Sequence, residues 1–131
     1  MRRWLLTTLA AMLVAAVAVP TLGAAPEGIR LALFVTPPGK GDLSWNFMAW
    51  LGAERAKALG YVKEYVEIVS TEATALSDLT LAAESGRYDL IVSAGWEFID
   101  PLRAVANRYP QINYVSLDNR PAFEPGDPGD Q

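Results

Sequence analysis

Four short apolar runs recur along the chain: Ile29 to Val35, Tyr65 to Ser70, Asp89 to Ser93 and Ile112 to Leu117. Each consecutive pair is separated by enough residues to hold a helix, and no pair lies close enough to close a hairpin. That order, βαβαβαβ, predicts an α/β fold: a parallel sheet with helices on both faces. Right-handed crossovers then bring every loop that leaves a strand's C-terminal end to one edge of the sheet, where ligands of open α/β sheets bind. The loops concerned are residues 36–43, 71–75, 94–99 and whatever follows Asp118.

The connecting segments carry helix signals. Ser44 is placed to cap a first helix with Phe47, Met48, Leu51, the stem of Arg55, Ala58 and Leu59 on one face, and Gly60 follows its end. Ala75 to Ser85 has Leu76, Leu79, Ala82 and Ala83 at helical spacing and stops at Gly86. Asp100 and Pro101 supply an N-cap and a first-turn proline for a third helix, which bears Leu102, Val105, Ala106 and Tyr109 until Pro110 forbids continuation.

The two ends have a different character. Arg2, Arg3 and Trp4 precede an apolar stretch, Leu5 to Val19, and then Pro20 and a run of small residues. This reads as a signal peptide over 1–25, cleaved between Gly23 and Ala25, because the stretch is shorter than the ~20 residues a bilayer core requires. Residues 121–131 alternate Pro, Gly and acidic residues, a composition that buries nothing, and a disordered tail is expected there. The chain carries 11 basic and 15 acidic side chains, so losing Arg2 and Arg3 leaves 9 against 15, a net −6. That balance argues against nucleic-acid binding. The expected location is the periplasm or the exterior, and the absence of Cys predicts that the protein is not a lipoprotein.

With neither Cys nor His among its 131 residues, the chain lacks the parts of thiolate or imidazole metal sites, Ser-His-Asp systems and Cys-His systems. No paired-carboxylate site is evident either, so no catalytic residue, metal or cofactor is expected. Gly39 and Gly41 match a phosphate-binding fingerprint only in part, since Ser44 stands at its third glycine. Trp45 and Asn46 open the first helix at the sheet edge, the one suited to stacking on a planar ligand and the other to hydrogen bonding. Packing under the loop and helix capping account for these residue types equally well. Trp96 after Gly95, and Asp118 at the end of the fourth strand, are further edge candidates, and turn formation is the competing role for Asp118. Asp42 lies in the same edge loop. Glu97 and Asp100 are read as favouring a helix N-terminus.

Gly41-Asp42-Leu43-Ser44-Trp45-Asn46, with the helix Met48 to Ala56 behind it, resembles the basic membrane protein family of ABC-transporter substrate-binding proteins. That family has a type I periplasmic-binding-protein fold, includes purine nucleoside receptors, and typically opens its first helix with Gly-Asp-Lys-Ser-Phe-Asn. Tyr88 to Val92 with Gly95, Arg108-Tyr109-Pro110 and Ile112 to Asp118 extend the likeness over Ile29 to Asp118. The resemblance implies that Trp45 occupies the ring-stacking position, Asn46 the base-contacting position and Asp118 that of the strand-end aspartate. The chain departs from the pattern with Pro37, where the nucleoside receptors often have aspartate, and with a loop one residue shorter. Such receptors have two lobes and usually exceed ~300 residues, so residues 26–120 are expected to form a partial first lobe, truncated after four strands. The expected function is solute binding for an ABC importer, with a nucleoside or similar small polar solute between two lobes and the permease as partner. Membrane contact would then come only through the transporter. The alternative is a small exported flavodoxin-like interaction module.

Overall fold

The computed structural model describes residues 28–118, so the signal-peptide and tail assignments lie outside the described residues. Strand β1 (Ile29–Val35) runs parallel to β2 (Val62–Val69) on one side and to β3 (Leu90–Ala94) on the other, and β4 (Asn113–Ser116) completes the order β2-β1-β3-β4. Helix α1 (Trp45–Ala58) joins β1 to β2, α2 (Ala75–Glu84) joins β2 to β3, and α3 (Ile99–Arg108) joins β3 to β4. Beyond Arg30, β1 is buried on both faces and reads as an unbroken apolar run from Leu31 to Val35, as expected of an interior parallel strand.

β2 begins three residues before the expected Tyr65, taking in Lys63 and Glu64. It is an edge strand, and charges that would end an interior strand are tolerated where the side chains meet water. The remaining strand bounds differ by a residue, Leu90–Ala94 and Asn113–Ser116 replacing the expected 89–93 and 112–117.

Alternation along the strands divides the core in two. Ala32, Phe34 and Ile91 face α2 and α3, where Phe34 meets Phe98 edge-on at 6.0 Å, while Leu31, Leu33, Val35 and Ala94 face α1. α1 buries a different stripe from the expected one. Asn46 and Ala53 are buried, with Ala49, Trp50 and Ala56 packed beside them, whereas Met48, Leu51 and Leu59 are exposed at 61%, 43% and 61%. Apolar residues lie all round this helix, so spacing alone had no polar face to set against them. The small side chains Ala49, Ala53 and Ala56 let the helix approach the sheet closely.

The end of α1 follows expectation. Gly60 has φ of +80°, the Tyr61 amide donates to the Ala56 carbonyl at 3.0 Å and the Gly60 amide to that of Lys57 at 3.0 Å, closing a Schellman motif. α3 starts earlier than expected: a short 3-10 turn, Trp96–Phe98, leads directly into Ile99, so Asp100 lies in the first turn rather than at the cap. At the sheet's N-terminal edge Arg30 clasps Asp89 through Nε at 3.0 Å and Nη2 at 2.8 Å. The hydrogen bonds from the Arg30 side chain and backbone pull the Asp89 carboxyl down to about 2.

Candidate functional site

Every loop leaving a strand's C-terminal end lies at the edge opposite the Arg30–Asp89 pair, as the parallel topology requires. β1 is followed by a crossover toward β2, whereas the later crossovers run the other way. The topological switch point therefore falls between the ends of β1 and β3. Thr36 and Gly95 meet there, and a Cβ on Gly95 would lie 3.0 Å from Thr36 Cγ2 and 2.7 Å from Glu97 Oε2. Only glycine fits this approach, and its φ of +135° is one that side chains oppose.

The loop between β1 and α1 is tightly built. Asp42 accepts backbone hydrogen bonds from Ser44 at 2.8 Å, Asn46 at 2.9 Å and Phe47 at 3.0 Å. It is this carboxylate, not the expected Ser44 hydroxyl, that caps α1. Desolvation pushes its pKa up, but the three amide donors outweigh this together and hold the carboxyl below its ordinary value. Asn46 is 3% exposed, and its Nδ2 donates to the Thr36 carbonyl at 2.9 Å and to Thr36 Oγ1 at 3.3 Å, tying α1 to the end of β1. Among the described residues its Oδ1 has no hydrogen-bond partner. Farther along the loop, the Lys40 amide donates to Glu67 Oε1 at 3.0 Å, and the Lys40 ammonium sits 4.9 Å from the Trp50 ring centroid.

Two aromatic side chains stand free at this edge. Trp45, the first residue of α1, is 52% exposed, and Trp96, the first residue after Gly95, is 66% exposed. Asp118 follows β4 at the same edge and is half-buried. All six residues singled out from sequence, Asp42, Trp45, Asn46, Gly95, Trp96 and Asp118, thus lie at one edge. Asp42 and Asn46 already spend hydrogen-bonding capacity on the loop itself. Thr36 and Glu67, which hold the loop in place, were not foreseen. Thr36 carries a weak signal, as the first polar residue after the apolar run; Glu67 carries none, since its contact is with a loop 27 residues away. After β2, Ser70 Oγ donates to Asp78 Oδ2 at 2.7 Å and fixes the next edge loop. Among the described residues no group of three or more acidic side chains is placed to hold a metal, and no helix is long and apolar enough to cross a membrane.

A parallel sheet with its free polar and aromatic groups gathered at the switch point is the architecture of a solute-binding lobe. The comparisons agree in class. The solute-binding protein of an ABC transporter system from Aeropyrum pernix K1 superposes with a TM-score of 0.66 at 40% identity, covering 70% of this chain and 25% of that one. A fragment of a putative lipoprotein from Peptoclostridium difficile 630 shares the fold at a TM-score of 0.63 and 21% identity, over 74% of this chain and 79% of that one.

Residues 29–120 match the Bmp family, described as ABC transporter substrate-binding protein PnrA-like, and the chain belongs to that family. It is a family of ABC-transporter substrate-binding proteins.

Relatives from Pyrococcus furiosus and Pyrococcus horikoshii are 42% and 40% identical over 94 residues, and the chain spans about a quarter of their length (23%). Both are named lipoproteins, as is a relative from Pyrococcus abyssi at 40% identity. This overturns the expectation that the protein is not a lipoprotein. That expectation rested on a missing Cys alone, and a residue missing from a stretch this short against its relatives is no measure of how a protein is anchored.

Proposed function

We propose that the switch-point edge is one wall of a solute-binding cleft that serves an ABC importer, and that it takes a nucleoside or a similar small polar solute with a planar ring. Trp45 offers a ring face to the solute, Trp96 a second aromatic surface, and Asn46 Oδ1 and the Asp118 carboxylate accept hydrogen bonds from its donors. Asp42 and Gly95 shape this wall: Asp42 fixes the start of α1, and Gly95 lets the β3 loop close against Thr36. The observation that carries the reading is an exposed tryptophan at the first turn of α1, anchored through Asn46 to the end of β1, in a chain of a solute-binding family.

One wall supplies only part of a binding energy. Stacking on a single ring contributes about 1–3 kcal/mol, which by itself corresponds to millimolar affinity or weaker. Titrating inosine into the chain while following tryptophan fluorescence tests the reading. Weak, saturable quenching in the millimolar range that disappears in Trp45→Ala is expected; quenching indifferent to that substitution counts against it.

A further inference from the structure

Glu97 takes no part in the contacts that engage Asp42 and Glu67 at the switch-point edge. It sits in the short 3-10 turn Trp96–Phe98 that leads from Gly95 into α3. Its place in the chain suits a carboxylate that favours a helix N-terminus, yet among the described residues nothing donates a hydrogen bond to its Oε2, which is also closed off from solvent. Glu97 as a whole is half-buried and Oε1 is not enclosed in this way, so the carboxylate is shut in on one side and open to the edge on the other.

The position is the switch point itself. Oε2 lies against Gly95, 2.7 Å from where a Cβ on that residue would stand, and Thr36 Cγ2 approaches the same point to 3.0 Å. Thr36 in turn accepts from Asn46 Nδ2 through its carbonyl and its Oγ1. Asn46 and Glu97 therefore flank Thr36, and each is preceded in the chain by an exposed tryptophan, Trp45 and Trp96. Taking a carboxylate oxygen out of water without a donor costs folding free energy, and the cations nearest in the chain and loop do not offset it. Arg103 on α3 pairs with Asp100, and the Lys40 ammonium lies over the Trp50 ring. A local cost of this kind, with no compensating contact inside the domain, marks a functional position.

We propose that Glu97 is a specificity-determining residue of this wall, its carboxylate accepting a hydrogen bond from an amino group on the solute's ring. The ligand class then narrows to planar nitrogen heterocycles that carry an amino substituent. This inference rests on the reading of the edge as one wall of a solute cleft. A hydrogen bond to an ionised acceptor is about twice as strong as a neutral one, and a solute without the donor leaves the enclosed oxygen unpaired.

Adenosine and purine riboside, identical but for the 6-amino group, separate the claims. In the 131-residue chain, followed by tryptophan fluorescence, adenosine should reach half-saturation at a concentration roughly fivefold below that of purine riboside. Glu97→Gln, which keeps the shape and removes the charge, should bring the two solutes within about twofold of each other. It should leave the melting temperature unchanged or raised, because an unpaired charge is removed; a fall of roughly 4 °C or more would make Glu97 a structural residue and overturn the proposal. Should that variant not fold, Glu97→Ala reads the same loss of preference. Equal responses to the two solutes in the unsubstituted chain, or a preference that survives Glu97→Gln, would overturn the role of Glu97 and leave the solute wall standing. No response to either solute would remove the wall and this proposal with it.

Discussion

Individual side chains at the switch-point edge hold the loop together and are also proposed to meet solute, and substitutions separate the two roles. Asn46 is buried and donates to Thr36, whose carbonyl also accepts from the Gly39 amide, so Asn46→Ala unties α1 from the end of β1 without orphaning that carbonyl and should cost about 0.5–1.5 kcal/mol in denaturant unfolding, whatever its effect on solute binding. Leu43 has φ of +51° and is exposed, a left-handed backbone that costs a branched residue roughly 1–2 kcal/mol. Leu43→Asn should therefore raise stability by up to about 1 kcal/mol in the same measurement. The sequence showed which residue types stand at the edge. It did not show how Asp42 and Asn46 are used, because an aspartate that binds a hydroxyl and one that caps a helix look alike until the backbone amides of Ser44, Asn46 and Phe47 turn toward it.

The alternation of strands and helices and the parallel sheet were legible because the interior strands here are mostly apolar and the connections too long for hairpins. Which face of α1 is buried was not, since Met48, Leu51 and Leu59 carry the larger side chains and the buried stripe is built on Ala49, Ala53 and Ala56. Chemical denaturation can check the correction: Leu51→Lys should change stability by about 0.5 kcal/mol or less, whereas Ala53→Lys should cost about 2–4 kcal/mol by forcing a charge into the α1 face. Between strands, the Arg30–Asp89 clasp joins β1 to the entry of β3. The Asp89 carboxyl titrates lower when folded, at about 2 against an ordinary 3.8, so its contribution is present above pH 4 and is lost as the pH falls toward 2. Asp89→Asn should flatten stability over that window in acid titrations followed by circular dichroism; an unchanged slope would remove the pair from the acid response.

At the scale of the whole molecule, the described domain has one edge where β1 and β3 diverge. The domain superposes on a solute-binding protein about four times its length. Family, fold and the grouping of edge residues were legible in the motif around Gly41 to Asn46 and in the strand ends. Thr36 and Glu67 were not, since contacts between distant segments leave no periodic trace. The central claim is that this edge recognises a solute, and amide and indole NMR of the 15N-labelled chain tests it most directly. On addition of inosine, the Trp45 and Trp96 indole signals should move together with the amides of Thr36, Gly95 and Asp118, while Arg30 and Asp89 at the far edge stay still. Shifts confined to the far edge, or none at millimolar inosine, would contradict it.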